Sequence, residues 1–308
     1  MPGRVAVLGI FVADLAFRAG RLPAVGETIA GSGFKIGPGG KGSNQAVAAA
    51  RVGGDVTMIS AIGNDEFGRM ALDTWTREGI TTAVRQSSSE PTGAAFIYVD
   101  EHTGANAIIV VAGAASTISA ADVDAAAGHI KSADVFVTQL EQPLAAARRG
   151  LEIARAAGAT TIFNPAPAAP VDPDLYRLCD YVTPNETEAA QLTGLAVNSV
   201  ADARRAGDAL LAFGAGTALI TLGEKGALLH NSAGSTLVPA FNAGPVVETA
   251  GAGDAFNGGF AVALSRGMPP IDAVRYACAV AAISVTRSGT APSMPRADEV
   301  ERLLRVGG

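Results

Sequence analysis

The chain has 308 residues, 48% of them hydrophobic and 17% charged, with a net charge of −6. That length holds one large α/β domain or two modest ones, and that composition belongs to a well-packed globular protein and not to a disordered chain. With a pI near 5.1 and no basic stripe, neither nucleic acid nor a membrane is an expected partner, so any phosphate must be bound by local geometry.

In chain order, the first apolar run lies at 5–13, behind Arg4. It is rich in β-branched residues, stops at Asp14 and lacks a cleavage site. It reads as a buried strand over 5–10, not as a signal peptide. Residues 17–36 read as strands and turns without a helix, and lead into Gly37-Pro-Gly-Gly-Lys-Gly-Ser-Asn-Gln45 and a helix over 43–51. This glycine turn is no Walker A loop, because Gly42 follows Lys41 where Ser or Thr is required. Gly39, Gly40, Lys41 and Asn44 offer donors to a polyhydroxylated ligand, with a plain strand-to-helix turn as the alternative.

A strand over 56–61 and a helix over 67–78 come next, then a hairpin within 93–111 whose turn spans 101–106. Further strands fall at 135–140, 160–163, 181–183 and 218–222, and further helices at 144–156, 187–192, 201–213, 254–266 and 271–286. Continuous apolar strands between helices predict a mainly parallel sheet covered on both faces, with ligands beyond the carboxyl ends of the strands. The helix-free segments, about 13–37 and 93–112, predict a small β-sheet lid inserted into a single domain spanning 1–308.

Polar groups gather where the expected strands end: Asp14, Glu141 in Gln139-Leu-Glu-Gln142, and Asn185 to Glu188 in Thr183-Pro-Asn-Glu-Thr-Glu188. Each alone suits a helix cap or a solvated loop, but their shared topology points to one convergent site. Thr221-Leu-Gly-Glu-Lys-Gly226 adds a flexible turn suited to a nucleotide. The most informative stretch is Glu248-Thr-Ala-Gly-Ala-Gly-Asp254-Ala-Phe-Asn-Gly-Gly259, a glycine-rich turn in front of an amphipathic helix. Free N–H groups at such a start attract anions. Asp254 would repel a phosphate there unless it takes a proton from an attacking hydroxyl; capping the helix is the alternative. Phe256 at the third glycine position excludes a dinucleotide fingerprint, and no GxSxG is present. Cys179 and Cys278 are far apart and read as buried free thiols of a cytoplasmic protein, while the scattered His102, His129 and His230 do not form a zinc set. No apolar run approaches the ~18 residues of a membrane span.

Over nearly its full length the chain resembles the PfkB carbohydrate kinases, and within them the ribokinases. Gly39-Gly-Lys-Gly-Ser-Asn-Gln-Ala-Val-Ala-Ala49 is similar to the N-terminal signature of the family and Glu248-Thr-Ala-Gly-Ala-Gly-Asp254 to its C-terminal one. Asn164-Pro-Ala-Pro167, Pro184-Asn-Glu-Thr-Glu188 and Thr221-Leu-Gly-Glu-Lys-Gly226 stand between them in family order. The resemblance implies a ribokinase-like three-layer α/β/α fold with a β-sheet lid that also forms a homodimer interface. The implied activity is transfer of the ATP γ-phosphate to a sugar CH2OH, with D-ribose giving D-ribose 5-phosphate as the first reading. Kinases of 2-deoxyribose, a ketohexose or a nucleoside stay open, as does a catalytically silent sugar-binding or regulatory protein, against which Asp254 and its glycine turn speak.

Carried over, Asp254 would be the base and Gly251, Ala252 and Gly253 the anion hole. Asp14, Gly40, Lys41, Asn44 and Glu141 would hold the sugar. Asn185, Thr221, Gly223, Gly226, Gly253 and Cys278 would lie along the nucleotide, and Glu188 would help organise Mg2+ through water. Glu248, Ala250, Ser284, Arg287, Gly289 and Ser293 match an activating monovalent-cation site, expected to take K+. Three positions depart from the pattern. Val12 replaces an Asn that bonds a sugar hydroxyl, and a hydroxyl buried unpaired costs ~1–3 kcal/mol, which favours a sugar without it, such as 2-deoxyribose. Cys278 replaces an adenine-packing His, and Glu248 replaces an Asp one methylene shorter.

Overall fold

The computed structural model describes residues 2–306. Its elements begin with β1 (Arg4–Leu8), β2 (Val12–Ala19), β3 (Gly33–Gly39), α1 (Lys41–Arg51), β4 (Asp55–Gly63), α2 (Glu66–Arg77), β5 (Thr81–Ser87), β6 (Thr92–Asp100) and β7 (Asn106–Gly113). The middle of the chain supplies α3 (Ala120–Ala125), α4 (Ala127–Ser132), β8 (Val135–Thr138), α5 (Leu144–Ala156), β9 (Thr160–Phe163), α6 (Pro173–Tyr176), β10 (Tyr181–Val182), α7 (Glu186–Thr193) and α8 (Val200–Phe213). Last come β11 (Thr217–Thr221), β12 (Ala227–Asn231), β13 (Gly234–Val238), α9 (Ala252–Ser265), α10 (Pro270–Ser284) and α11 (Ala297–Val306).

Alternation along β1 sets the layering. Val5 and Val7 enter a core with α1, α2, α9 and α10, whereas Ala6 and Leu8 enter a second core with α3, α4, α5 and α8. Both faces of the strand are covered, which is why its sequence is apolar without a break. The nine-stranded sheet runs β13-β12-β11-β10-β9-β8-β1-β4-β5. It is parallel from β11 to β5 and antiparallel only at the β12–β13 edge. This is the mainly parallel architecture that the sequence predicts.

A separate four-stranded sheet, β3-β2-β6-β7, stands off the main one. Its register puts Leu15, Phe17, Phe34, Ile36, Phe96 and Ile109 on one face, and Val12, Asp14, Ala95, Ile97, Ile108 and Val110 on the other. The strand expected over 5–10 ends at Leu8, and a new one starts at Val12. Asp14 therefore lies on the small sheet and not at the end of the first parallel strand. The crossing is tight at Gly9, where a Cβ would meet Gly42 Cα at 2.7 Å. The sequence did not signal β5, whose Thr-Thr-Ala-Val-Arg-Gln-Ser suits a half-exposed edge, nor the β12–β13 hairpin, nor α3, α4, α6 and α11.

Helices α1 and α9 lie against each other at van der Waals distance. A Cβ on Gly258 of α9 would come within 2.6 Å of Gln45 O and of Ala48 Cβ in α1. Backbone on one side cannot yield as a flexible side chain does, so Gly258→Ala must spread the two helices. We expect it to lower unfolding free energy by ~1–3 kcal/mol in urea titrations, and to lower turnover further than the lost stability explains.

Candidate active site

Asp254 is the third residue of α9, behind the N-cap Gly251 at φ 80°, and its side chain does not cap the helix. Its carboxylate, 5% exposed, turns instead to α1. Asn44 Nδ2 donates to Oδ2 at 3.0 Å and Gln45 Nε2 to Oδ1 at 3.0 Å. Burial raises the Asp254 pKa above the usual carboxylate range, while the Lys41 charge and these two amides pull it back. The Ala252 N–H crosses the glycine turn to Thr249 O at 3.2 Å. Those of Gly251 and Gly253 meet no protein acceptor among the described residues. Nothing lies within 4 Å of a Cβ built on Gly253, so a ligand can reach this backbone closely.

Around Asp254 stand further charges. The Lys41 backbone N–H donates to Glu141 Oε2 at 2.7 Å. Burial pushes Glu141 up to about 7 against the pull of Lys41. It pushes Asp14 up to about 6, opposed by the Thr290 hydroxyl. Burial works against the Lys41 charge too, but Asp254, Glu141 and Glu188 together hold its pKa above the ordinary value. Gly39 and Gly40 are glycines for a reason of space. A Cβ on Gly39 would sit 2.2 Å from Asp14 Oδ1, and one on Gly40, at φ 88°, 2.6 Å from Ile10 O. Val12 is buried on the Asp14 face of the small sheet, paired with Gly39 and Gly93. It presents methyl groups and no hydrogen-bonding atom.

Asn185 and Glu188 close a capping box at the start of α7, with bonds of 2.8 and 2.9 Å. Burial raises the pKa of Glu188. Asn185 forms a bridge to Thr221, whose N–H reaches Pro184 O at 3.0 Å. Gly223 and Gly226 give the following turn its positive φ values of 54° and 101°. The structure thus joins Asn185, Glu188, Thr221, Gly223 and Gly226 to one another. Cys278 on α10 belongs to the same buried cluster as Ala227, the residue after Gly226, and burial pushes its thiol up to about 12.

Of the expected cation set, Glu248 Oε2 accepts the Gly289 N–H at 2.8 Å. Ser284 and Ser293 hydroxyls donate to Ala281 O and Thr290 O, and the Arg287 side chain pairs with Glu299. Among the described residues no cluster of three His, Cys, Asp or Glu side chains is placed to hold a metal. Glu248 is the one carboxylate among the six expected residues, and a set of hard oxygen donors with so little charge would suit an alkali cation and not a transition metal.

Several residues here escaped the sequence reading. Gln45, Gln139, Thr183 and Asn164 form a buried polar network behind Asp254. Asn164 was visible only as the head of a motif, and Gln45 only as the neighbour of Asn44. Thr290, whose hydroxyl lies 3.4 Å from Asp14 Oδ2 and 3.2 Å from Pro38 O, carried no signal at all.

A family model described as pfkB family carbohydrate kinase matches residues 3–297. A ribokinase of Haemophilus influenzae is 38% identical over 305 residues, covering 99% of each chain. A deoxyribokinase of Salmonella typhimurium is 36% identical over 304 residues, covering 98% of this chain and 99% of its own. Among solved structures, Arabidopsis thaliana ribokinase complexed with ribose and ATP superposes with a TM-score of 0.91, at 30% identity and 99% coverage of both chains.

Asp254→Asn keeps the shape of the side chain and removes its basicity. We expect phosphoryl-transfer turnover to fall roughly 10²–10⁴-fold in a coupled ADP-release assay, with calorimetry still detecting sugar and ATP binding. Turnover within a few-fold of wild type would leave Asp254 without a role as base.

Proposed function

The chain belongs to the pfkB family of carbohydrate kinases and is a phosphotransferase, and from that premise we propose that it transfers the γ-phosphate of ATP to the CH2OH of a pentose. The observation that carries this reading is the buried Asp254 carboxylate, set between free amides at a helix start and the polar groups Asp14, Lys41, Asn44 and Glu141. Asp14, Glu141 and the Asn44 amide bind and orient hydroxyls. Asp254 takes the proton of the attacking hydroxyl, and the Gly251–Gly253 turn with Lys41 faces the charge that develops on the phosphoryl group. Glu188 would help hold Mg2+ through water alongside the nucleotide phosphates, and the ion would supply charge neutralisation there. Asn185, Thr221, Gly223 and Gly226 line the nucleotide turn. Cys278 would pack against the adenine from α10.

D-ribose is the first substrate reading, supported by the ribokinases of Haemophilus influenzae and Arabidopsis thaliana among the relatives. Val12 favours a second, 2-deoxyribose, because its methyl groups cannot pair a hydroxyl brought against them. A deoxyribokinase at 36% identity supports keeping it. K+ would bind at Glu248 and at carbonyls of Ala250, Ser284, Arg287, Gly289 and Ser293, and would brace the turn that begins at Gly251. The buried, unpaired Cys179 and Cys278 suit the reducing cytoplasm. Among the described residues no helix is long and apolar enough to cross a membrane.

The outer face of the small sheet supports a homodimer formed through the lid. Phe34 and Ile109 are 60% and 65% exposed there, and Phe17 packs at a tilt against Phe34 and Phe96 in one aromatic patch. Sedimentation should give a dimer for the wild type and a monomer for Phe34→Asp. A wild type that sediments as a monomer at micromolar concentration removes this interface.

One assay tests substrate and cation together: ADP release over a panel of pentoses, ketohexoses and nucleosides, in potassium and in a bulky organic cation. Val12→Asn should shift the ratio of efficiencies toward D-ribose over 2-deoxyribose by about fivefold, the worth of one recovered hydrogen bond. Potassium should raise turnover more than sugar affinity. No shift in the sugar ratio would mean that Val12 does not face the distinguishing hydroxyl, and equal rates in both cations would mean that Glu248 has disabled the site.

A further inference from the structure

We propose that Asn164 and Gln45 form a directional amide relay that holds Asp254 as a base, with the backbone carbonyl of Thr183 as its fixed end. Both act as positioning residues, and the inference rests on the kinase reading above. A carbonyl oxygen only accepts, so the 2.8 Å contact from Asn164 Nδ2 to Thr183 O settles which way the Asn164 amide points. Its Oδ1 then faces Gln45, which must turn Nε2 toward it, at 3.1 Å. The second hydrogen of that Nε2 reaches Asp254 Oδ1. Gln45 Oε1, turned the other way, accepts from Gln139 Nε2 at 2.7 Å.

Reversing the Gln45 amide would set its oxygen against Asp254 and Asn164 oxygens and its NH2 against that of Gln139. The cost of the observed direction falls on Gln139, whose Oε1 is buried without a partner against Gly9, where a Cβ would come within 2.3 Å of it. Asn164, Gln45, Gln139 and Thr183 are all buried, so water does not blur the sense of the chain. A main-chain carbonyl beyond β10 thereby dictates that Asp254 meets an N–H donor. Such a donor favours carboxylate over carboxylic acid, because the charged oxygen is the stronger acceptor of the Gln45 N–H. Thr183 braces the other side as well. Its hydroxyl donates to Asn257 Oδ1 at 2.7 Å, and Asn257 Nδ2 to Gly253 O at 2.8 Å, in the first turn of α9.

The remaining charges facing Asp254 are Lys41 on α1, Asp14 on β2, Glu141 beyond β8 and Glu188 on α7. All four stay in place in the variants that test the relay. Gln45→Met keeps the length of the side chain and removes the donor. We expect the Asp254 carboxyl titration, followed by carbon NMR of labelled aspartate in the apo protein, to move up by about one pH unit. The acidic limb of kcat, at saturating sugar and ATP, should move with it while KM values stay near wild type. Asn164→Ala frees Gln45 to reverse and should move both in the same direction, and the double variant no further than Gln45→Met alone. An unmoved titration in the single variants overturns the relay, even if turnover falls, and so does additivity in the double variant. Should Gln45→Met fail to fold, Asn164→Ala carries the same two readouts. Because the titration needs no turnover, a shifted Asp254 in a protein that phosphorylates no sugar would sustain the relay and remove the kinase reading instead.

Discussion

A carboxylate inside a protein must be compensated or it takes up a proton, and the arrangement around Asp254 follows from that requirement. The compensation comes largely from α1, which supplies Lys41, Asn44 and Gln45 in one turn of chain. It works only because α1 lies hard against α9 on one side and against the β1–β2 crossing on the other. Glycines make both approaches possible. A Cβ on Gly42 would come within 2.6 Å of Gly9 Cα, and one on Gly258 within 2.6 Å of Ala48 Cβ. These glycines serve proximity and not flexibility, which is why they lie inside helices, where glycine otherwise costs stability.

The compensation is deliberately incomplete. Lys41 faces Asp254, Glu141 and Glu188 together, with Asp14 close enough to raise Glu141 further. Acids held near 6 and 7 mean that the folded protein binds protons the unfolded chain would release at the same pH. Their burial as anions therefore costs stability at and above neutrality, and that cost fades as pH falls through those values. A sugar bound as proposed would offer hydroxyl donors to these same carboxylates and would relieve this strain. The groups whose burial costs stability are those that a ligand would satisfy.

The small sheet shows how one alternation serves two surfaces. Along β2, Val12 and Asp14 look toward the site, while Leu15 and Phe17 look away into the exposed aromatic patch. A slip of one residue would exchange the two sets completely. The register with β3 and β6 is held through Gly39 and Gly93, which leave room for Asp14 and Val12.

By itself the sequence determined the layering, the strand-to-helix rhythm and the two glycine turns, because these depend on local periodicity and on backbone shapes that only glycine adopts, whereas the residues expected around Asp254 came from the resemblance to the pfkB kinases. It left the cap and base roles of Asp254 unresolved, and it ran Asp14 on from the first strand. Tertiary structure turned the Asp254 side chain away from a cap and toward α1, and it set Asp14 on the small sheet, since starting α9 at Ala252 and breaking the chain between Leu8 and Val12 depend on what packs alongside. The half-exposed edge strand β5 was invisible because its stability comes from neighbours and not from its own pattern, whereas α11 was missed although Val300, Leu303 and Leu304 recur at helical spacing. The direction of the amides behind Asp254 was equally out of reach. Asn164, Gln45 and Thr183 are far apart in the chain, and a hydrogen bond has no sense until its partners meet.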